Sequence, residues 1–285
     1  MAMIPPFFLD SVVALGTRDS EGETSWRGSG FLVLRVVTEG TNGLGGHLFL
    51  VTNRHVAEGV PALVVRLNRK PGQSAMDFEM PSRLPGGQPA WHCHPDQDVD
   101  VAVAPLMGQV VEEKLARKPS CFLPNRNVLS REQMKEAMVS EGDEVYVLGY
   151  PMGLVAAERQ HVIARSGCIA RIRDLLEGAS NDFLIDAFVF PGNSGGPVVL
   201  KPQVLAVQGT KTTGRASLLG IVSQYVPYRE TAVSAQTGRP RISFEENSGL
   251  AVVVPADLVM ETIEIAMADK ESGAQEEQGE GSDQT

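Results

Sequence analysis

The chain has 285 residues, 42% of them hydrophobic, and a formal net charge of −10. That apolar share is enough for a sizeable core of one large or two modest domains, and the 29 Gly and 18 Pro show no period, so a collagen-like or wholly disordered chain is excluded. No apolar run approaches the ~20 residues of a membrane-spanning helix, and the acidic balance argues against a general nucleic-acid binder.

The opening Met1–Phe8 has neither a basic region nor a long apolar run, so no secretory signal is read there and a cytoplasmic setting is expected. Short strands separated by turns then dominate. They are expected at Ser11–Leu15, Gly30–Val37, His47–Thr52, Ala62–Leu67 and Val101–Pro105. After a charged connector at 108–140 they resume at Glu144–Leu148, Val162–Ile172, Phe183–Phe188, Pro197–Leu200, Val204–Gln208, Leu218–Gln224 and Leu250–Val254. Continuous apolar runs such as Gly30–Val37 suggest strands buried on both faces or set in a barrel wall. Ser130 is placed to cap a short helix through Met138. The stretch Glu230–Asn247 is polar and reads as a long loop, either a specificity element or a tolerated insertion.

Leu258, Val259, Thr262, Ile263, Ala266 and Met267 recur at helical spacing behind Pro255, predicting a terminal helix over Ala256–Ala268. From Asp269 to Thr285 acids and Gly, Ser and Gln predominate, so a disordered acidic tail is expected at 269–285. Cys93, Cys121 and Cys168 are few, odd in number and far apart, which disfavours a disulfide framework and fits a reducing compartment.

Three segments carry chemistry. Pro191-Gly192-Asn193-Ser194-Gly195-Gly196-Pro197 sets a serine on a tight glycine turn, where its hydroxyl is exposed and backbone N–H groups converge. Val51-Thr52-Asn53-Arg54-His55-Val56-Ala57 puts a histidine after an apolar strand, where imidazole can serve as a base near neutral pH. Asp98-Val99-Asp100-Val101-Ala102-Val103 puts two acids at the mouth of a strand. The nearby His92-Cys93-His94 group, with Asp96, looks like a metal cluster, but on an extended stretch Cys93 points away from the two histidines. It reads as a loop, and no metal and no cofactor is assigned.

In the order His, Asp, Ser, these segments resemble the chymotrypsin-fold serine peptidases, most closely the disulfide-poor bacterial HtrA-type and trypsin-like branch. Gly28-Ser29-Gly30-Phe31-Leu32-Val33, Val147-Leu148-Gly149-Tyr150-Pro151-Met152-Gly153 and Asn247-Ser248-Gly249-Leu250-Ala251 support the likeness. The resemblance implies an all-β fold of two six-stranded antiparallel β-barrels with a C-terminal helix. Residues 1–125 would form the first barrel, carrying His55 and Asp100. Residues 126–268 would form the second, carrying Ser194 and the helix.

It further implies a serine endopeptidase acting on protein or peptide substrates, by limited proteolysis, with no nucleic-acid or membrane partner. Ser194 would be the nucleophile, His55 the base and Asp100, rather than Asp98, the residue that orients it. The N–H groups of Gly192 and Ser194 would form the oxyanion hole. Phe188 would floor the substrate pocket, with Ser223, Gln224 and Tyr225 on one wall and Gly249 and Ala251 on the other. No acid falls at Phe188, so an apolar substrate side chain is expected there. Asn193 replaces the acid of digestive trypsins and cannot form their ion pair with a new amino terminus. The alternative reading is a catalytically silent peptide-binding module or chaperone on the same fold.

Overall fold

The computed structural model describes residues 4–40, 43–203, 211 and 214–280. The predicted strand Val204–Gln208 lies outside them. After a short helix α1 (Pro6–Asp10), the first unit comprises β1 (Val12–Arg18), β2 (Thr24–Gly40), β3 (Gly43–Thr52), helix α2 (Arg54–Ala57), β4 (Ala62–Leu67), β5 (Met76–Pro81), β6 (His92–Cys93) and β7 (Ala102–Leu106). The connector holds α3 (Gly108–Leu115), α4 (Pro124–Asn127) and α5 (Arg131–Glu136). The second unit comprises β8 (Glu144–Gly149), β9 (Ile163–Arg171), α6 (Arg173–Glu177), β10 (Phe183–Asp186), β11 (Pro197–Leu200), β12 (Ser217–Val233), β13 (Pro240–Pro255) and α7 (Ala256–Glu280).

The protein is all-β and chymotrypsin-like, with a C-terminal helix. Its second unit is a closed six-stranded barrel in the order β10-β13-β12-β11-β8-β9. The first unit departs from the expected six-stranded barrel: it is a seven-stranded sheet, β5-β4-β1-β2-β3-β7-β6, forming half a barrel. Its two ends explain why it stays open. β6 is only two residues long, and β5 carries Asp77, Glu79 and Pro81, residues that suit an unpaired edge.

Strand alternation sorts the apolar residues into three cores. Val13, Leu15, Leu32, Leu48 and Leu50 point into the first unit, among Leu63, Val65 and Trp91. Val145, Val147, Ile185, Val198 and Val253 fill the barrel of the second. The alternate residues of the first sheet, Val12, Ala14, Phe31, Val33, Phe49 and Val51, face Leu148, Tyr150, Val199 and Ile221 of the second. Both faces of these strands are therefore buried, which is why their sequences read as unbroken apolar runs.

The helical stripe closes this shared core. Val259 and Ile263 are fully buried in it with Ala266, and Thr262 Oγ1 donates back to Leu258 O at 2.6 Å. The helix does not end at Ala268 before a disordered tail as expected; it runs to Glu280. The short connector helix forms as predicted: Ser130 Oγ accepts from Gln133 N–H, and Gln133 Oε1 accepts from Ser130 N–H. Ile263→Ala removes a buried side chain from the seam between the units and is expected to cost about 2–5 kcal/mol in urea unfolding. A loss within about 0.5 kcal/mol, the scale of a surface substitution, would show that the helix does not pack there.

Candidate active site

Each residue of the site stands on a connection beside a strand: His55 just past β3, Asp100 just before β7 and Ser194 just before β11. β3 stops at Thr52, Asn53 stands just before α2, and the single turn of α2 lifts His55 half into solvent. Asp100 lies two residues before β7. Asn53 joins them, its Nδ2 donating to Asp100 O at 2.7 Å. The Asp100 carboxylate takes three hydrogen bonds: from His55 N–H at 3.1 Å on Oδ1, and from His55 Nδ1 at 2.8 Å and Ser223 Oγ at 2.7 Å on Oδ2. An ionised carboxylate only accepts, so the proton sits on Nδ1 and Nε2 is left as a free base. Asp98 does not share this role; its N–H caps Asp96 Oδ1.

Burial acts to raise the Asp100 pKa, but the hydrogen bonds from His55 and Ser223 outweigh it and hold the group below its ordinary 3.8. Because the folded value lies below the unfolded one, the carboxylate adds stability above pH 3.8, and loses it as pH falls through the folded value.

Ser194 sits on the turn between β10 and β11. Gly192 and Gly195 adopt φ of +98° and +84°, and a Cβ there would stand 2.4 Å from Tyr150 O and 2.0 Å from Ser29 O. Only glycine fits such contacts. Asn193 is fully buried, and its Oδ1 accepts from Phe190 N–H at 3.0 Å, a local tie within the turn. Three donors from two neighbours turn the carbonyls of this loop outward. Met152 N–H donates to Pro191 O at 2.6 Å, Ser29 Oγ to Gly192 O at 2.7 Å, and Ser29 N–H to Ser194 O at 2.8 Å. In a planar trans peptide the N–H opposes the C=O, so the Gly192 N–H faces away from Met152. Among the described residues, the N–H groups of Gly192 and Ser194 make no hydrogen bond.

His55, Asp100 and Ser194 line one crevice of about 590 Å³. The Ser194 hydroxyl donates to Ser223 O at 3.1 Å, so its proton is not directed at His55.

Of the expected pocket residues, Ser223, Gln224 and Tyr225 line this crevice, but Phe188, Gly249 and Ala251 do not. β10 ends at Asp186, and beyond it Ala187 and Val189 turn inward while Phe188 turns out to solvent beside Gly249. Val189 and Phe190 take the wall instead. Ala251 is fully buried in the barrel core.

Three supporting residues escaped the sequence reading. Ser29 and Met152 were visible only as parts of motifs. Arg54, buried beside His55, donates to the carbonyls of His94 and Asp96 and to Gln97 Oε1, fixing the loop that leads to Asp100. The triplet His92-Cys93-His94 does not converge. His92 Nδ1 lies 3.1 Å from Asp269, His94 Nε2 lies 3.6 Å from Glu261, and Cys93 Sγ lies 3.7 Å from Glu58.

Ser223→Ala withdraws one donor from the charged form of Asp100. Its pKa is expected to rise in a carboxyl-carbon NMR titration. An unchanged value would mean that this hydrogen bond does not form.

The trypsin-like peptidase domain model matches residues 28–206, a span that includes His55, Asp100 and Ser194. Among solved structures, the chain is similar to the MamO protease domain from Magnetospirillum magneticum in its apo form, at 18% identity and a TM-score of 0.46 over 90% of this chain and 96% of that one. It is also similar to GrC, at 16% identity and a TM-score of 0.45 over 93% and 97%.

Proposed function

The chain belongs to the trypsin-like peptidase domain family, and on that footing we propose that it is a serine endopeptidase. The observation that carries this reading is the Asp100–His55 pair, whose free Nε2 shares a crevice with Ser194 and two unpartnered backbone N–H groups. Rotation of the Ser194 side chain about Cα–Cβ exchanges its hydrogen bond from Ser223 O to His55 Nε2. Oγ then attacks the substrate carbonyl carbon as Nε2 takes its proton. Asp100 stabilises the resulting imidazolium and keeps the ring oriented. The carbonyl oxygen, now anionic, is received by the N–H groups of Gly192 and Ser194, each such donor contributing on the order of 3 kcal/mol. His55 returns the proton to the leaving amine, and water releases the acyl group through the same base. No cofactor enters these steps.

The walls supplied by Val189, Phe190 and Tyr225 support an apolar residue before the scissile bond. A peptide library is expected to show that preference, and a strong demand for Arg or Lys would overturn it. Limited cleavage of protein partners rather than bulk digestion fits a reducing compartment, which the three free cysteines suit.

One observation favours a second reading. The Ser194 hydroxyl engaged with Ser223 O suits a peptide-binding module that does not turn over. Reaction with a fluorophosphonate separates the two. Labelling of the native chain and not of Ser194→Ala is expected, whereas an unlabelled native chain overturns the peptidase. Asp100→Asn reverses the imidazole tautomer, so kcat is expected to fall about 10⁴-fold, the loss that tautomer error causes in triads of this type. A fall below about tenfold would contradict the role given to Asp100.

A further inference from the structure

Beyond Tyr225, β12 leaves the barrel and, among the described residues, pairs only with β13. Facing partners across such a ribbon share a side. Arg229 stands opposite Glu245 and Thr231 opposite Ser243; this side is polar and internally satisfied, with Arg229 Nε 2.8 Å from Glu245 and Tyr225 Oη donating to the same carboxylate at 2.5 Å. On the other side Tyr228 stands opposite Glu246, Glu230 opposite Phe244 and Ala232 opposite Ile242. Tyr228, Ile242 and Phe244 are 53%, 58% and 54% exposed, although a two-stranded ribbon in water has little stability of its own to spare. Clustered apolar exposure of this kind marks an interaction surface.

We propose that this side of the ribbon is a docking surface for an apolar, lysine- or arginine-bearing segment of the protein substrate, away from the bond that is cut. Its substrate role rests on the peptidase reading above. Charge selects the partner. Glu230 and Glu246 stand among the apolar side chains, and the cross-strand pairs of this side contain no cation. Arg229 is committed to Glu245 on the opposite side, and the chain as a whole carries −10. A second copy seated on the same surface would set Glu230 and Glu246 against their own counterparts, a repulsive arrangement.

Continuity selects the substrate. β12 passes directly from the crevice wall at Ser223–Tyr225 into the ribbon, and Asn247 at the ribbon base donates to Val189 O in the opposite wall at 2.6 Å. At about 3.3 Å per residue, the surface begins roughly 10 Å past Tyr225 and extends about 15 Å further.

The test uses the full Ser194→Ala chain and two fluorescein-labelled heptapeptides, one alternating Leu and Lys, the other Leu and Glu, read by fluorescence anisotropy. The Leu-Lys peptide is expected to bind at least tenfold tighter. Ile242→Ser with Phe244→Ser should weaken it tenfold or more, and Glu230→Lys with Glu246→Lys should invert the preference. These side chains are exposed, and circular dichroism checks that each variant folds. Equal binding of the two peptides, absence of binding, or indifference to both pairs of substitutions overturns the proposal. So does a dimer, seen by light scattering, that Ile242→Ser with Phe244→Ser dissolves. Because binding is read without turnover, failed peptide binding removes the docking surface and leaves the peptidase untouched. A native chain inert to fluorophosphonate instead removes the substrate role.

Discussion

One buried serine ties the two units together beside the crevice of His55, Asp100 and Ser194. Ser29 O accepts from Thr52 Oγ1, at the end of the strand that delivers His55. Its N–H and Oγ–H hold the carbonyls of Ser194 and Gly192, and its Oγ accepts from Tyr150 N–H. Four hydrogen bonds at one fully buried residue thus reach β3, the Ser194 turn and the end of β8. Buried groups of this kind are costly to leave unpaired, so the arrangement resists partial loosening. The glycines at 192 and 195 follow from it, because the turn must press against Ser29 and Tyr150 with no Cβ between.

On this frame the electrostatics are short-range. Asp100 receives its donors from both units, two from His55 and one from Ser223. The carboxylate therefore does more than orient a ring: it links the first sheet to the barrel across the crevice. Arg54 supports it from below by gripping the 94–97 loop, so the residue next to His55 in sequence also sets the approach of Asp100. One edge of the crevice is made of this network, and the other continues into the ribbon of β12 and β13.

Much of this was legible in the sequence. Strand cores are announced by apolar alternation or apolar runs, and Ser130 announced its own helix cap. The glycine-flanked Ser194, His55 after its strand and Asp100 before β7 were named from motif and spacing, and the fold brings all three to one crevice. Other features depend on packing that no local pattern encodes. β5 and β6 were missed because one is charged and the other two residues long. Phe188 was misplaced because β10 stops two residues early, and the alternation past its end turned the ring outward. Glu230–Asn247 read as a loop because its polar and apolar residues alternate on a ribbon with no core beneath it, so nothing local distinguishes it from a surface insertion. The Ser29 network was invisible, since its partners lie up to 165 residues away.

Ser29 fixes the Ser194 turn against the first unit. The most direct measurement is the second-order rate of fluorophosphonate labelling of Ser29→Ala, with its thermal unfolding recorded alongside. A folded Ser29→Ala chain is expected to label at least tenfold more slowly, because the Gly192 carbonyl is released and Tyr150 N–H is left without its acceptor. A folded Ser29→Ala chain that labels at the native rate would contradict it.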